Sequence, residues 1–296
     1  MLDTVIKKAL FFFLGLIFII VLILSVLAFF SKSVSNANVS GLHLQSENWS
    51  GTITISGDTF FVPWATLRIA PGTKILFDKK PDISNTSWTK FADAYITEHN
   101  DPTGREGYNQ SHFDLTAKII AIGTKQQPII FTSVQAKPEY ADWDQLVLFG
   151  GSALDFVEVA FAHNGIYSGT EGALFDRGDF VRITNSKIHD SLWSCIDVWS
   201  ANVKITNNEI YHCWHQAVGV KSSGNTFISG NNIHDSQLGI NCERGAKPDI
   251  TNNHFEAAPI NPDCPTGERN VDVGRTADTI GGTYNGKLIY PSNAQQ

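Results

Sequence analysis

A repeat of about 22 residues between Val181 and Ala257 constrains this chain more than any other feature. An isoleucine opens each unit, and successive opening isoleucines are 22, 23 and 22 residues apart. These residues are Ile183, Ile205, Ile228 and Ile250. A second apolar residue follows five positions later, and a third follows seven or eight positions after that, at Ile196, Val218 and Ile240. Each unit thus holds three short strands separated by turns. Because one such unit cannot bury its own apolar face, the spacing predicts stacked coils of a solenoid.

Asparagine marks one turn of the unit. Asn185, Asn207 and Asn252 each follow an Ile-Thr pair, and Gly230 with Asn231 takes that place in the remaining unit. Asparagine tolerates a left-handed backbone, which suits a tight corner. We expect the stacked asparagines Asn185, Asn207 and Asn252 to hydrogen-bond from coil to coil. A leucine-rich repeat has a similar period, but it needs several leucines per unit, which this block does not supply.

These units resemble the right-handed parallel β-helix repeat proteins, the broad group that includes the pectate-lyase-like folds. Segments upstream look like further coils of the same kind, so the similarity extends from about Trp49 to Ala257. Those segments are Trp49–Ile55, Leu67–Ile75, Lys118–Thr124, Pro128–Thr132 and Trp143–Phe161. The resemblance implies an all-β fold, a right-handed single-stranded parallel β-helix.

The N-terminal residues predict a membrane anchor. From Ala9 to Phe30 there are 22 residues without a charge. A helix of that length rises about 1.5 Å per residue and can cross a hydrocarbon core of about 30 Å. Lys7 and Lys8 favour a cytoplasmic N-terminus. We therefore expect a single-pass membrane protein with its globular domain outside the cytoplasm. Secretion after cleavage of a signal peptide near Ala37 is the alternative, although signal-peptide cores usually run only about 7–15 residues.

The sequence divides into four segments. Residues 1–30 form a cytoplasmic stub and transmembrane helix, 31–40 a polar tether, 41–258 the β-helix, and 259–296 a C-terminal cap or tail. A polar insertion at 82–114 interrupts the β-helix. Long insertions are often lids or binding loops, and an ordered decoration of the solenoid side is the other interpretation. We expect the tail to protect the open end from edge-to-edge pairing.

The third strand of each unit carries the residues that indicate a function. Side chains that alternate with the inward anchors point outwards, and strands stack about 4.8 Å apart. Aligned coil by coil, the outward columns read Asp197, Gly219, Asn241 and Trp199, Lys221, Glu243, and the preceding turns add Trp193 and His215. In the pectate-lyase-like group this strand and turn form the polysaccharide groove. The resemblance therefore implies that Trp193 and Trp199 stack on sugar rings and that Lys221 and Arg244 hold acidic groups, with Glu243 beside them.

Three functions fit this surface. The first is binding of a cell-surface or environmental polysaccharide, with acidic polymers favoured. The second is a carbohydrate-active enzyme of lyase, epimerase or hydrolase type, with Lys221 or His215 as base and Asp197 as its partner. Hydrolysis needs a carboxylate pair, and Gly219 stands where the second carboxylate would lie. The third is a structural or adhesive envelope protein, in which Lys221 and Glu243 merely pair on a solvent-facing column. We expect no cofactor.

A second outward column holds His189, Tyr211, His234 and Glu256, with Asp190, His212 and Asp235 one position later. Because neighbouring residues of a strand face opposite ways, His189 and Asp190 are not expected to converge. We therefore interpret the column as a surface ladder rather than a metal site. The net charge of −7, without any dense run of lysine and arginine, argues against a nucleic-acid partner.

The four cysteines permit two predictions about disulfides, which an exported protein can form. Cys242 and Cys264 are 22 residues apart, which equals one coil, so they are expected to stack and pair. Cys195 and Cys213 are 18 residues apart and fall at different positions of the coil, so they are expected to stay unpaired.

Overall fold

The structure is a computed structural model that describes residues 12–16, 31–79, 114–169, 178–221, 224–258, 260, 264, 282–284 and 287–289. The hydrophobic N-terminal run and the 82–114 insertion lie outside the described residues, except for a helical stretch at 12–16 and for Asp114. Within the described part of the chain, no helix has both the length and the apolar character needed to cross a membrane.

A single sheet of 21 strands winds into a parallel solenoid. Its first strands are β1 (Lys32–His43), β2 (Glu47–Phe61), β3 (Thr66–Ile69), β4 (Lys74–Phe77), β5 (Leu115–Ile122), β6 (Ile129–Ser133), β7 (Leu146–Leu148), β8 (Ala153–Asp155), β9 (Val157–Ala160) and β10 (Ile166–Gly169). The repeats supply β11 (Val181–Thr184), β12 (Lys187–Ser191), β13 (Ser194–Trp199), β14 (Val203–Thr206), β15 (Glu209–Cys213), β16 (Gln216–Lys221), β17 (Thr226–Ser229), β18 (Asn232–His234), β19 (Leu238–Glu243), β20 (Asp249–Thr251) and β21 (His254–Glu256). A separate antiparallel hairpin joins β22 (Gly282–Tyr284) to β23 (Lys287–Ile289), within the segment predicted as a cap or tail.

Each coil contributes to three faces of the solenoid. Face A contains β8, β11, β14, β17 and β20, face B contains β9, β12, β15, β18 and β21, and face C contains β7, β10, β13, β16 and β19. In the first coils, β1 and β2 each run through all three faces, and β5 turns from face C into face A. We call the turn between faces A and B the A–B corner and the turn between faces B and C the B–C corner.

The predicted isoleucine columns form the core. On face A, Ile205 pairs in register with Ile183 on one side and with Ile228 on the other, and all three side chains are fully buried. The columns of faces B and C stack in the same way, through Ile210 and Val218. Each coil thus buries the apolar face of the coil before it, as the repeat spacing requires. The prediction of stacked coils is confirmed.

The asparagine ladder lies one residue further along the chain than predicted. Asn185 and Asn207 have φ values of 50° and 57° and make the left-handed corner. The next residue in each coil turns inwards instead, and Asn208 and Asn231 are buried. Oδ1 of Asn231 accepts hydrogen bonds from the backbone N–H of Asn208, at 2.9 Å, and from its Nδ2, at 3.0 Å. Asn208 in turn caps the backbone N–H of Ser186 at 3.0 Å. The first asparagine therefore shapes the corner, and the second links the coils.

The predicted tether at 31–40 is wrong. Residues 32–43 form β1, which pairs with β2 along its length. Val34 lies beside Trp49, and Val39 lies beside Ile55. Val34, Ala37, Val39 and Leu42 pack against the core while the serines and asparagines between them stay at the surface. The segment is mostly polar, so its few, widely spaced apolar residues did not indicate a strand. Few apolar residues are sufficient in the first coil, because this coil packs against the core on one side only.

One disulfide prediction is confirmed and the other is wrong. Cys242 and Cys264 are bonded, with Cα atoms 5.2 Å apart, as a separation of one coil predicts. Cys195 and Cys213 are also bonded, with Cα atoms 5.6 Å apart. Cys213 pairs in register with Ser191, and the chain turns the B–C corner between Ser191 and Cys195. The bond therefore crosses the inside of the B–C corner. The prediction compared only residues at equivalent positions of successive coils, and these two cysteines lie on different faces.

Candidate functional site

Face C and its corner carry the residues predicted for the site, and three of these seven residues are buried. Asp197 aligns with Gly219 and Asn241, and Trp199 aligns with Lys221 and Glu243, in the predicted register. Asp197 is 1% exposed, Lys221 5% and Trp199 6%. Strand alternation thus gave the correct direction of these side chains. Within the structure described, Trp199 and Lys221 are not open to a polymer in solvent.

An ion pair occupies the centre of this face. Nζ of Lys221 lies 3.4 Å from Oδ2 of Asp197, and the indole N–H of Trp199 donates to the same oxygen at 3.3 Å. Nζ of Lys221 lies 4.7 Å from the centre of the Trp199 ring, and the guanidinium of Arg244 lies 4.8 Å from that ring. Burial raises the pKa of Asp197 despite the neighbouring ammonium. Lys221 therefore pairs with Asp197 of the preceding coil rather than with Glu243 of the following one.

Amide and hydroxyl side chains form a polar row beside the ion pair. Nε2 of Gln216 donates to Oγ of Ser194 at 2.9 Å, and Nδ2 of Asn241 donates to Oε1 of Gln216 at 2.8 Å and to Oε1 of Glu243 at 2.7 Å. Gly219 makes room for this arrangement, because a Cβ at that position would overlap the Gln216 amide. The repeat thus breaks to glycine where a long polar side chain lies across the strand.

Trp193 and His215 sit at the B–C corner, next to this polar row. Their rings are stacked, with centres 4.0 Å apart and planes 5° from parallel, and both residues are half-buried. Burial, together with the nearby Lys221 charge, lowers the pKa of His215 to about 4, so the imidazole is neutral at pH 7. Its buried Nδ1 has no hydrogen-bond partner among the described residues. The pair therefore presents flat rings and one unused polar atom.

The structure extends the polar row in a direction that the sequence did not indicate. Nδ2 of Asn164 donates to Oε1 of Gln145 at 3.1 Å, and Nδ1 of His163 lies 3.1 Å from Oδ1 of Asp144. The backbone N–H of Trp193 donates to the His163 carbonyl at 2.6 Å, which places His163 one coil before Trp193 at the same corner. These residues precede the regular repeats, so no periodic spacing marked them.

A wall beside the B–C corner comes from the loop between β6 and β7. The Tyr140 hydroxyl donates to the His212 carbonyl at 3.2 Å, three coils further along. Nδ1 of His189 lies 2.6 Å from Oδ2 of Asp190, and Nδ1 of His212 lies 3.2 Å from Oδ1 of Asp190. The prediction that His189 and Asp190 diverge is wrong, because Asp190 has a φ of 53° and strand alternation ends there.

The second column is a stacked ladder on the outer side of face B. Tyr211 lies between His189 and His234, with ring centres 4.7 and 4.9 Å apart and planes within 5° of parallel. Within the described residues, no group of three or more His, Cys, Asp and Glu side chains is placed to hold a metal ion. The guanidinium of Arg244 is exposed, and the Trp193 and His215 rings are half-buried.

A family model described as "Right handed beta helix region" matches residues 146–260, which contain every strand of the regular repeats. The chain is a right-handed parallel β-helix repeat protein. No curated protein matches it, and no solved structure matches it.

Proposed function

We propose that this β-helix binds a polysaccharide along the B–C corner and the adjoining edge of face C. The stacked pair of Trp193 and His215 carries the proposal, because partly exposed flat rings beside a polar row suit a sugar ring and its hydroxyl groups. Parallel coils present such groups at intervals of about 4.8 Å, so a linear polymer would meet several of them in succession.

An acidic polymer fits this surface best. Arg244 is exposed at the end of the polar row, with its guanidinium over the Trp199 ring, and a guanidinium recognises a carboxylate through paired hydrogen bonds. Glu243 is half-buried, and one of its oxygens accepts a hydrogen bond from Asn241. Lys221 and Trp199 support this surface from below, since Lys221 is already paired with Asp197.

A glycan array with the full chain tests the proposal, followed by affinity measurements on any polymer that binds. Trp193→Ala should lower the affinity at least tenfold and leave the melting temperature within a few degrees, because Trp193 is half-buried at a corner. Trp64→Ala is the matched control, since Trp64 is 51% exposed and lies between β2 and β3. If no glycan binds, or if both variants behave alike, a structural or adhesive envelope role becomes the better explanation.

A second candidate function is proton abstraction from a uronate, as in a polysaccharide lyase or epimerase. The buried pair of Asp197 and Lys221 beside a histidine with an unused Nδ1 favours it, because such clusters of ionisable groups are typical of active sites. The low pKa of His215 makes its imidazole a weak base at pH 7, so binding remains the first candidate. Incubation with polyuronates tests this function: unsaturated or epimerised products would support it, and unchanged polymer would refute it.

The placement of the domain outside the cytoplasm, behind a single-pass anchor, is also a proposal. The uncharged run from Ala9 to Phe30 motivates it, and the two disulfides support it because such bonds persist in oxidising compartments. A tag placed after Phe30 should be accessible on intact cells and should remain in the membrane fraction. A tag that stays protected inside would refute the orientation, and release of the intact domain into the medium would indicate cleavage near Ala37 instead.

A further inference from the structure

A concave surface lies at the A–B corner, away from the B–C corner. It is a cleft of about 400 Å³, within the range of small-molecule sites, which is about 300–1,000 Å³. It crosses successive coils, from the loop before β6 to the corner before β15. Its charged lining residues are Lys125, Glu158 and Lys187.

The cleft exists because one corner is longer than the others. In the regular repeats the A–B corner is a short turn such as that at Asn207, whereas the loop at 123–128 projects beyond it and forms a wall. Thr124 and Gln127 exchange backbone hydrogen bonds of 3.1 Å, and the N–H of Gly123 donates to the Asp155 carbonyl at 2.8 Å. A Cβ at Gly123 would lie 2.5 Å from the Phe156 carbonyl oxygen, so only glycine permits this close approach. The wall is therefore held in place by the backbone.

The charges of the cleft leave one lysine available. Nζ of Lys187 lies 2.6 Å from Oε2 of Glu209, so this ammonium is already paired. Glu158 lies 3.6 Å from Nε2 of His189, whose pKa is raised to about 9 by Asp190 and Glu158 against the effect of its burial. Glu209 and Glu158 thus each have a cationic partner at neutral pH, Lys187 and His189 respectively. Lys125 is exposed on the wall, and within the described residues its ammonium has no ion-pair partner.

The uncharged lining residues suit a small ring with hydroxyl groups. Phe156 and Pro128 are half-buried and supply apolar surface. Asn185, Asn207 and Thr124 are exposed at the same cleft. Nδ2 of Asn185 also donates to Oδ1 of Asp155 at 2.8 Å. Amides and hydroxyls both donate and accept hydrogen bonds, which is the chemistry that sugar hydroxyls need.

We propose that the cleft at the A–B corner is a binding site for a small acidic sugar, with Lys125 pairing with its carboxylate and Phe156 packing against its ring. Among the described residues that line the cleft, Lys125 is the one cation without an ion-pair partner, which matches a ligand with a single carboxylate. The site is separate from the polysaccharide surface at the B–C corner, and it rests on different residues, so each can fail without the other.

Calorimetric titration of the full chain with glucuronate tests the proposal, with glucose as the neutral comparison. We expect glucuronate to bind at least tenfold more tightly than glucose, since a hydrogen bond to a charged group is worth that much. Lys125→Gln should reduce glucuronate affinity about tenfold and leave glucose affinity unchanged. Lys137→Gln is the matched control, because Lys137 is an exposed lysine outside the cleft. Arg244→Ala should also leave glucuronate binding unchanged, which separates this cleft from the surface at the B–C corner.

Three results would overturn the inference. The first is equal glucuronate affinity in the natural chain and in Lys125→Gln, with unchanged melting temperatures. The second is loss of glucuronate binding in Arg244→Ala but not in Lys125→Gln, which would place the ligand at the other corner. The third is displacement of glucuronate by inorganic phosphate at equal concentration when glucose fails to bind, which would indicate an anion site without sugar recognition.

Discussion

The A–B and B–C corners turn the same chain in the same coils, yet they are built differently. At the A–B corner of the repeats, Asn208 and Asn231 satisfy each other and the backbone around them, coil after coil. At the B–C corner the backbone turns in the same way in successive coils but the side chains change, and Trp193 and His215 occupy equivalent places. The A–B corner thus repeats the same hydrogen bonds in successive coils, whereas the B–C corner keeps its backbone path and changes its side chains.

In this solenoid, stability and ligand binding can therefore depend on different side chains. A side chain that repeats with all its hydrogen bonds made contributes to every interface between coils and has little left to offer a ligand. His215 differs, because it interrupts the repeat and its buried Nδ1 has no hydrogen-bond partner among the described residues. Such a side chain contributes less to the free energy of unfolding than its burial alone would suggest. Substitutions at the two corners should therefore differ in size and in sign.

Removal of one ladder asparagine should have the largest effect. Asn208→Ala leaves the Ser186 N–H and the Ile183 carbonyl without their partner, and each such buried group costs about 1–3 kcal/mol. We expect the free energy of unfolding to fall by about 4 kcal/mol in urea denaturation. Asn207→Gly is the control at the neighbouring position, where glycine accepts the left-handed backbone, and it should change stability by about 0.5 kcal/mol or less. A larger loss in Asn207→Gly would show that the ladder is not what holds this corner.

Removal of the disulfide between Cys195 and Cys213, which crosses the B–C corner, should have the next largest effect. The double variant Cys195→Ala with Cys213→Ala should lose about 3 kcal/mol, the usual contribution of a crosslink that closes a loop of this length. The corresponding double variant of Cys242 and Cys264 is the comparison. Peptide mapping without reductant checks both bonds in the natural chain. A free thiol at Cys195 would contradict the structure.

The histidine beside the B–C corner should make stability depend on pH. Because the folded pKa of His189 is raised to about 9, its contribution is fully present below its unfolded pKa of about 6.5 and disappears as the pH rises towards 9. Asp190, with a pKa lowered to about 2, keeps its own contribution until the pH falls below about 3.8. His189→Gln should flatten the decline in unfolding free energy between pH 6.5 and 9, measured in urea. An unchanged slope in that variant would mean that another group is responsible.

Replacement of His215 should have the smallest effect on stability, with the opposite sign. His215→Leu removes a buried Nδ1 that has no partner among the described residues, so the variant should be as stable as the natural chain or up to about 1 kcal/mol more stable. Glycan affinity should fall in the same variant, because the ring that stacks on Trp193 is lost. Strong destabilisation in His215→Leu would show that this imidazole is part of the scaffold.

The periodic features of the fold could be predicted from the sequence. The spacing of Ile183, Ile205 and Ile228 gave the stacked coils, and the same spacing gave the bond between Cys242 and Cys264. These predictions succeed because a residue and its equivalent in the next coil are neighbours by construction. The register of Asp197 and Trp199 on face C followed from the same rule.

The features that depend on departures from the repeat could not be predicted in this way. The left-handed backbone at Asp190 reverses the direction of its side chain, and the bond between Cys195 and Cys213 crosses the inside of a corner. Alternation also gives the direction of Trp199 and Lys221 but not their burial, because it says nothing of what lies over a face. The contacts of His163 and Asn164 lie in coils whose lengths are irregular, where spacing carries no information.

The position of the bond between Cys195 and Cys213 limits when this bond can form or be reduced. Both cysteines are fully buried within the apolar core, so reductants and oxidants in solution reach the sulfur atoms only when neighbouring coils separate. Oxidation must therefore take place before or during the closure of these coils, and reduction requires them to open again. The redox state of this bond in a folded molecule therefore reflects the compartment in which the coils closed, unless the coils have since separated.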